Sequence, residues 1–528
     1  MPAQPRTKGL NILIVMADQL KPHIVGAYGH PLIRTPNIDR LAEQGTTFDS
    51  AYCNSPLCAP ARFTMMAGLQ ASKIGAWDNA AEFPAHVPTF AHYLRQMDYY
   101  TGLIGKMHFV GADQLHGFEE RLTTDVYPAD FAWIPDWENP YERIEEWYHN
   151  MVNIMTAGVA KATLQYDYDD EVAFRTERKI YELARAPEDT PFCLVSAFIH
   201  PHDPYNTRQK YWDMYDHDAI DLPRTPAMAR DALDPHSQRL FDGIAADEFD
   251  TTENDIRNAR HAYYGNVTYF DEQVGRIVAA LEDSGLAENT VVIVTSDHGD
   301  MLGERGLWAK MSWLEDSARV PLIVKGPDIP AGKRIGNNVS HVDLLPTLTA
   351  LASGSGAGPE PEYADWLDGR SLMHLIAGDD AGDRDEAVGE YMGECAAAPL
   401  IMIRRGNLKF IYTETDPPLL FDIDADPDER ENLAENPAYA AKLKGFMNEI
   451  AENYDMERIT NDVILSQRRR RAAHKGNMKG RRTDWDYAPP FDAGNVFMRS
   501  HMEVSEADHK FMFPVRKPPK PVRKRKGS

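Results

Sequence analysis

The stretch Asn11-Ile12-Leu13-Ile14-Val15-Met16-Ala17-Asp18-Gln19 decides the fold, because it is an apolar run that ends in two polar residues. The run shows no polar alternation, which is the pattern of a strand buried on both faces of a parallel sheet. We therefore predict a buried strand over residues 10–17. Four further runs of strand length follow it along the chain, namely residues 101–104, 192–198, 291–295 and 321–324.

Helical patterns lie between these runs. Residues 36–45 and 255–281 are the clearest examples, and in the second of them apolar residues recur at helical spacing until Gly285 follows its end. Strands that alternate with helices indicate a doubly wound α/β fold.

The pattern of predicted elements changes from about residue 389. Short apolar runs at 400–404, 409–412 and 419–423 are joined by turns, which predicts a small antiparallel sheet. We divide the chain into a catalytic α/β domain (residues 1–385), a small antiparallel-sheet domain (386–465) and a polar C-terminal tail (466–528).

Composition excludes several classes of protein. The 528 residues suffice for two domains, and the apolar and charged fractions of 43% and 26% are those of a soluble globular protein. The net charge of −25 argues against nucleic acid as a partner. The basic clusters at 468–471 and 516–526 lack interleaved aromatic residues, so we predict a solvated tail there.

No apolar run approaches the roughly 20 residues of a membrane span, so no membrane partner is expected. Residues 1–9 are not followed by a small-residue cleavage site of the kind that ends a signal peptide. The four cysteines, Cys53, Cys58, Cys193 and Cys395, are too widely spaced to form a disulfide framework. These features predict a cytoplasmic protein.

Polar residues follow four of the predicted strands. They are Asp18 with Gln19, Lys106 with His108, His200 with His202, and Asp297 with His298. In open α/β sheets ligands bind beyond the carboxyl ends of the strands, so these segments are expected to converge. A single Asp or His after a strand is usually a turn residue or a helix cap, but four such segments together indicate a functional site.

The segment Leu57-Cys58-Ala59-Pro60-Ala61-Arg62-Phe63 contains the pattern Cys-x-Pro-x-Arg. On its own it is also compatible with a buried thiol before a proline-started helix. The pattern resembles the sequence that a modifying enzyme reads in type I sulfatases, where the cysteine is oxidised to formylglycine (3-oxoalanine). The resemblance implies that one hydroxyl of the hydrated aldehyde attacks sulfur. The second hydroxyl then loses its proton, and sulfate is expelled.

Longer stretches make the resemblance closer. From near its start to about residue 435 the chain is similar to choline sulfatases of the alkaline phosphatase superfamily. The matching stretches are residues 55–62, 78–82, 105–108, 116–125, 127–131, 147–150, 168–174 and 297–308. The resemblance implies an alkaline-phosphatase-like, doubly wound mixed sheet with a smaller C-terminal α+β domain and an extended C-terminal tail.

The implied metal site uses hard oxygen ligands. Asp18, Gln19 and Asp297 suit Ca²⁺, with His298 and the modified Cys58 beside them. Because His298 is a nitrogen ligand, Mn²⁺ is the second choice. The metal would screen the negative charge of the ester.

The remaining implied roles concern the sulfate group and its protons. Arg62, Lys106 and Lys310 would bind the sulfate oxygens, with Asn79 also at the sulfate site. His108 would take the proton that triggers collapse of the diol, and His202 would protonate the leaving alcohol.

The alcohol end of the substrate needs different residues. A quaternary ammonium group cannot donate hydrogen bonds, so it is held by aromatic faces and carboxylates. The family's choline pocket matches Trp133 and Glu394 here, and His200 is also assigned to the substrate site. The family further uses an acidic residue from a neighbouring subunit's tail, where this chain has Ser505 between Glu503 and Glu506. A homodimer or homotetramer is therefore expected, and a formylglycine-generating enzyme is the expected partner in maturation.

The sequence thus predicts a sulfuric ester hydrolase that acts on choline O-sulfate or a similar small alkyl sulfate. Two alternatives stay open. One is an arylsulfatase or phosphonate monoester hydrolase of the same superfamily, which shares the metal residues and the cysteine pattern. The other is an inactive, unmodified sulfatase-like protein that only binds sulfated ligands.

Overall fold

The computed structural model describes residues 9–142, 148–186, 190–481 and 485–490. Within these ranges the chain forms fourteen strands. They are β1 (Asn11–Asp18), β2 (Thr46–Tyr52), β3 (Tyr100–Gly105), β4 (Glu120–Arg121), β5 (Gly158–Val159), β6 (Phe192–Pro201), β7 (Asn206–Thr207), β8 (Thr290–Ser296), β9 (Arg319–Lys325), β10 (Lys333–Ser340), β11 (Glu386–Tyr391), β12 (Leu400–Arg405), β13 (Leu408–Tyr412) and β14 (Leu419–Asp422).

Eight of these strands form one large sheet in the order β10-β2-β9-β8-β1-β6-β3-β4. The inner strands β8, β1, β6 and β3 run parallel to one another, and every residue of β1 is buried. The five predicted strands are all present, and the predicted mixed α/β fold is confirmed. The strands β2 and β10, at one edge of this sheet, were not predicted. Polar residues occur along both strands, so neither contains a continuous apolar run.

One strand runs against the others. The strand β9 is antiparallel to both of its neighbours, β8 and β2. The prediction that residues 321–324 belong to a parallel strand was therefore wrong about direction. An apolar run records burial on both faces, and an antiparallel strand inside a covered sheet is buried in the same way.

Helices surround the sheet. The described residues contain α1 (Pro36–Glu43), α2 (Cys58–Ala67), α3 (Ala71–Ile74), α4 (Phe90–Gln96), α5 (Val152–Met155), α6 (Leu164–Arg185), α7 (Gln209–Trp212), α8 (Pro235–Gly243), α9 (Glu253–Ser284), α10 (Glu315–Ala318), α11 (Leu344–Ala352), α12 (Met373–Ala377), α13 (Ala440–Asn453) and α14 (Met456–Asn477). One group, α1, α6 and α9, packs together, and a second group is formed by α2, α4 and α11.

The second sheet has the order β11-β12-β13-β14 and is antiparallel throughout, as predicted. Its apolar face and helix α13 share a small core that includes Phe410, Leu420, Phe446 and Ile450. This core is separate from the main one, which accounts for the change in the sequence from alternating strand and helix patterns to short apolar runs joined by turns.

Helix α14 crosses the boundary placed between residues 465 and 466. The prediction that residues 468–471 form a solvated tail was wrong for Arg470, which is only 6% exposed. On a helix that packs against the protein, about one residue in every three or four faces inward. Composition alone therefore does not reveal which residue of a basic run is buried. The other basic cluster, residues 516–526, lies outside the described residues, as do Ser505, Glu503 and Glu506.

Candidate active site

The carboxyl ends of four neighbouring strands carry the polar residues that the sequence singles out. Asp18 ends β1, and Asp297 follows β8, whose Ser296 pairs with Ala17 of β1. On the other side, Asp18 lies opposite Pro201 of β6, between the two histidines of that segment. Strand adjacency thus places residues nearly 300 positions apart in the sequence within contact distance of one another.

Lys106 follows β3 directly, and Gly105 sets its position. Gly105 has a φ of +101°, and a Cβ on it would lie 1.9 Å from the backbone oxygen of Ala197 on β6. Only glycine permits this approach of the two strands. The Lys106 amide then donates to the same oxygen at 3.0 Å, which turns the lysine into the site.

Cys58 is the first residue of α2 and is 1% exposed. Its Sγ lies 3.3 Å from His298 Nε2 and 3.9 Å from Asp18 Oδ1. The cysteine of the sequence pattern therefore lies in the centre of the polar cluster.

Four buried side chains can hold a metal ion together. One ligand atom from each of Asp18, Cys58, Asp297 and His298 lies within 4.8 Å of the others. Two carboxylates suit a hard divalent cation, and the imidazole widens the choice to transition metals. The donor set therefore fits the calcium or manganese that the sulfatase resemblance implies.

Gln19 was expected among the ligands, and its side chain makes other contacts in this structure. Its Oε1 accepts from Lys310 Nζ at 2.7 Å, and its Nε2 donates to Asp300 Oδ2 at 2.7 Å. The backbone amide of Gln19 donates to Asp297 Oδ1 at 3.1 Å. With a φ of +67°, Gln19 occupies a backbone region that non-glycine residues rarely adopt.

Two buried cations hold the carboxylates of this cluster. Arg62 Nη2 donates to Asp18 Oδ2 at 3.0 Å, and its Nε donates to Asp297 Oδ2 at 2.9 Å. Lys106 Nζ also donates to Asp18 Oδ2. Burial by itself would raise the pKa of Asp18, but the neighbouring cations, led by Lys106, hold that pKa well below its ordinary value. Asp18 is thus ionised and able to bind a cation.

Lys310 and His202 form a second buried pair. Lys310 Nζ donates to His202 Nε2 at 2.7 Å, while His202 Nδ1 contacts the backbone oxygen of Asp203 at 2.6 Å. Burial and the Lys310 charge hold the pKa of His202 well below its ordinary value. The histidine is therefore neutral, and its Nε2 accepts the hydrogen bond from Lys310 Nζ.

His108 is positioned by its backbone. Its amide donates to Asp125 Oδ2 at 2.8 Å, and the chain has a φ of +58° at this residue. Burial lowers the pKa of His108, and the Cys58 thiol partly offsets that effect. Among the described residues no hydrogen-bond partner occupies either ring nitrogen, so both are available to a ligand.

Asn79, Trp133 and Glu394 have different surroundings. Asn79 Oδ1 accepts from the Ala59 amide at 3.0 Å, next to Cys58. Trp133 is 37% exposed and packs edge-on against His108, with ring centroids 5.8 Å apart. Glu394 is 5% exposed, and burial followed by the nearby Asp78 charge raises its pKa to about 7.

His200 does not share this cluster. Its Nδ1 lies 2.7 Å from Asp169 Oδ2, and its ring packs against Tyr166 and Tyr269. The expectation that His200 lines the substrate site assumed that both histidines of the segment face the same way. Only Pro201 separates the two histidines, yet their side chains point to different surroundings, and only His202 reaches Lys310.

Two residues of the site were missed in the sequence. The Tyr127 ring lies 4.3 Å from Lys106 Nζ and packs against Trp133, with centroids 5.0 Å apart. Asp203 accepts from Gln19 Nε2 at 3.3 Å and contacts His149 Nδ1 at 3.2 Å. Asp203 directly follows His202, so its position after a strand was a usable signal. Tyr127 begins one of the stretches that match choline sulfatases, but the residue type alone did not assign it a role.

Family comparison agrees with this geometry. The sulfatase family model matches residues 10–355, which is more than half of the chain. The chain belongs to the sulfatase family. A second family model, described as the C-terminal part of choline sulfatase enzymes, matches residues 461–511. The resemblance drawn from the sequence is thereby confirmed, and the protein is an enzyme of sulfate ester hydrolysis.

Two curated relatives align with most of this sulfatase. The choline-sulfatase of Rhizobium meliloti (strain 1021) is 44% identical over 511 residues, which cover 96% of this chain and 98% of the relative. The multifunctional alkaline phosphatase superfamily protein PehA of Trinickia caryophylli is 28% identical and covers 83% of this chain and 93% of its own.

A solved structure shares the fold. The phosphonate monoester hydrolase of Agrobacterium radiobacter superposes with a TM-score of 0.67 at 26% identity, covering 84% of this chain and 95% of its own. In the described ranges of this sulfatase, no helix has both the length and the apolar character needed to cross a membrane.

Proposed function

We propose that this sulfatase hydrolyses choline O-sulfate, or a closely similar small cationic alkyl sulfate, to the alcohol and sulfate. The 44% identity to a choline-sulfatase along nearly the whole chain carries the proposal. The geometry supports it, because cations surround Cys58 while an aromatic ring and a buried carboxylate lie farther out.

The reactive group would be Cys58 after conversion to formylglycine by a formylglycine-generating enzyme. In this structure the thiol stands where a hydroxyl of the hydrated aldehyde would lie, 3.3 Å from His298 and beside the carboxylates of the ion cluster. The modified side chain supplies the nucleophilic hydroxyl, and the divalent ion, Ca²⁺ in first place and Mn²⁺ in second, screens the charge of the ester.

The sulfate group would lie against Arg62, Lys106 and Lys310. All three side chains are buried, so the charge that grows on the sulfate oxygens meets fixed cations in a site of low polarity. Asn79 would complete this end of the pocket from the turn that holds Ala59.

Two groups are available for proton transfer. The Lys310–His202 pair carries one shared proton, and with the sulfate ester bound it would give this proton to the leaving alcohol. His108 would accept a proton from the second hydroxyl of the modified side chain, because its ring nitrogens are unpartnered and its pKa is lowered by burial.

The quaternary ammonium group would contact Trp133 and Glu394. Trp133 offers a partly exposed aromatic face next to His108, and a ring face attracts a cation that has no hydrogen to donate. Glu394 offers a carboxylate oxygen, Oε2, to which no described group donates a hydrogen bond. A buried carboxylate without a partner is costly, and a bound cation relieves that cost.

Two further expectations belong to this proposal. The four cysteines are all free, which fits a cytoplasmic enzyme. A homodimer or homotetramer would allow one subunit's tail to approach its neighbour's alcohol pocket, and light scattering on the purified protein measures that assembly state.

A second candidate is an arylsulfatase or phosphonate monoester hydrolase, and the superposition with a phosphonate monoester hydrolase favours it next. Steady-state kinetics on choline sulfate, an aryl sulfate and a phosphonate monoester separate the candidates. We expect the highest kcat/KM for choline sulfate. A higher value for either of the other substrates would replace the proposed function by the second candidate. No turnover of any of them by modified, metal-loaded protein would point to an inactive binding protein.

A further inference from the structure

A buried ion pair joins the C-terminal helix to the edge of the active site. Arg470 of α14 donates through Nη1 to Asp78 Oδ1 at 2.6 Å and through Nη2 to Asp78 Oδ2 at 2.7 Å. Arg470 is 6% exposed and Asp78 is fully buried. This bidentate geometry fixes the orientation of both groups, unlike a surface ion pair between flexible side chains.

Asp78 begins a turn that reaches the reactive residue. Its Oδ1 also accepts from the Ala80 amide at 2.9 Å, which closes the turn around Asn79. Asn79 Oδ1 in turn accepts from the Ala59 amide at 3.0 Å, in the first turn of the helix that Cys58 begins. Arg470 is thus connected to the neighbour of Cys58 through two consecutive residues.

The same helix also contacts the segment around Trp137. Gln467 Oε1 accepts from the Trp137 amide at 2.9 Å, and Arg471 pairs with Asp136 at 3.0 Å. Trp137 Nε1 then donates to the backbone oxygen of Gly393 at 3.0 Å, one residue before Glu394. Helix α14 therefore contacts the turn that carries Asn79 and is linked through Trp137 to the segment that carries Glu394.

The charges around Glu394 are unequal. The charged and titratable groups that act on it are Asp78, Arg470, Lys310, Tyr391 and Cys395. Burial and then the Asp78 charge raise the pKa of Glu394, while Lys310 and Arg470 lower it. Arg470, which pairs directly with Asp78, thus also acts on the Glu394 carboxylate through its charge.

We infer that Arg470 is a positioning residue of the active site, which fixes the Asp78–Asn79 turn and offsets the Asp78 charge beside Glu394. The inference rests on the proposed function, because it assigns the ionised form of Glu394 to binding of the substrate's ammonium group. It makes α14 part of the catalytic unit.

The experiment compares Arg470→Met, Asp78→Asn and the double variant in the full-length, modified enzyme. Arg468→Met is the matched control, because Arg468 lies on the same helix and pairs with Glu138 at the surface, 61% exposed. For each protein, kcat/KM is measured against pH for choline sulfate and for an uncharged aryl sulfate, and the inhibition constant of choline is measured with the aryl sulfate as substrate.

In the plot of kcat/KM for choline sulfate against pH, the fall toward low pH is the acid limb. The two single variants should move this limb in opposite directions. Loss of the Arg470 cation raises the pKa of Glu394, so that limb should move up by about 1 pH unit. Because the ionised fraction of Glu394 at pH 7 then falls, the inhibition constant of choline at that pH should rise roughly fivefold. Loss of the Asp78 charge should move the limb down. The double variant should lie between them, and Arg468→Met should match the wild type.

A merely structural role predicts something else. Unfolding or loosening would lower kcat for both esters and would not shift the two acid limbs in opposite directions. The double variant replaces the ion pair by two neutral groups, so it keeps the test valid when Arg470→Met is poorly folded. The acid limb of its pH profile must lie closer to that of the wild type than the acid limb of Asp78→Asn does.

The outcomes separate this inference from the proposed function. A wild-type enzyme that turns over choline sulfate, with an acid limb that neither Arg470→Met nor Asp78→Asn moves, overturns the inference alone. A wild-type enzyme that neither hydrolyses choline sulfate nor is inhibited by choline overturns the proposed function, and the inference with it.

Discussion

The surroundings of Cys58 and those of Glu394 balance their charges in different ways. Around Cys58 the carboxylates Asp18 and Asp297 are bound by Arg62 and Lys106. A further cation, Lys310, donates to the side chain of Gln19, which follows Asp18. Near Glu394 the buried Asp78 carboxylate is bound by Arg470, and one oxygen of Glu394 itself has no hydrogen-bond partner among the described residues. We propose that the first region binds the anionic sulfate group together with the metal ion, and that the second binds a cationic alcohol.

This difference matches a substrate with a charge of each sign at its two ends. A sulfate ester alone requires only the Cys58 region, which explains why the sequence pattern there is shared by enzymes with many substrates. Under the proposed function, the choice of alcohol would be made in the second region. Substitutions in the first region should therefore affect every ester, and those in the second only cationic ones.

The largest effect is expected at Cys58. Cys58→Ala removes the side chain that becomes the nucleophile, so kcat should fall by at least about 10⁴-fold for cationic and uncharged esters alike. Peptide mass spectrometry of active wild-type protein should show conversion at Cys58 and leave Cys53, Cys193 and Cys395 intact. Fully active protein with an unmodified Cys58 would contradict the mechanism.

The metal ligands come next. Asp297→Asn removes a charged ligand and one partner of Arg62, so kcat/KM should fall on the order of 100-fold for both kinds of ester, together with metal content. Asp247→Asn is the control, because Asp247 is an exposed carboxylate. Elemental analysis and activity after exhaustive chelation provide the check. Undiminished turnover by metal-free protein would refute the assignment.

A smaller and selective effect is expected at Trp133. A desolvated contact between a cation and an aromatic ring contributes about 2 kcal/mol, so Trp133→Ala should lower kcat/KM for choline sulfate roughly thirtyfold. An uncharged aryl sulfate should be little affected. Trp366→Ala controls for loss of an exposed tryptophan, since Trp366 is 96% exposed. Equal losses on both esters would make Trp133 part of the scaffold.

The smallest effect concerns the charge of Glu394. Because the pKa of Glu394 is raised to about 7, its carboxylate is ionised above that pH and neutral below it. The ratio of kcat/KM for choline sulfate to that for the aryl sulfate should therefore fall as the pH falls through about 7. Glu394→Gln should lower this ratio about tenfold at alkaline pH and remove its pH dependence. A pH-independent ratio in the wild type would contradict this role.

The same contrast explains what the sequence could predict. Uninterrupted apolar runs predicted the inner strands, and the polar residues after them predicted where Asp18, Lys106, His202 and Asp297 meet. The direction of β9 was not predicted, because an apolar run indicates burial and not strand direction. The strands β2 and β10 were not predicted, because polar residues interrupt them.

The second region was the harder one to predict. Arg470 and Asp78 are nearly 400 residues apart, and each looks like a surface residue until α14 folds against the turn. Likewise, the contact of Tyr127 with Lys106 and that of His200 with Asp169 depend on where side chains point, which neither spacing nor motif determines.

The most direct test of the two-region account compares choline sulfate with its neutral carbon isostere, 3,3-dimethylbutyl sulfate, in the wild-type enzyme. The two esters have the same shape and the same sulfate group, so only the positive charge differs. At pH values above the Glu394 pKa, we expect kcat/KM to favour choline sulfate by about 100-fold, since an aromatic face and a carboxylate both attract that charge. A ratio near one would contradict the account.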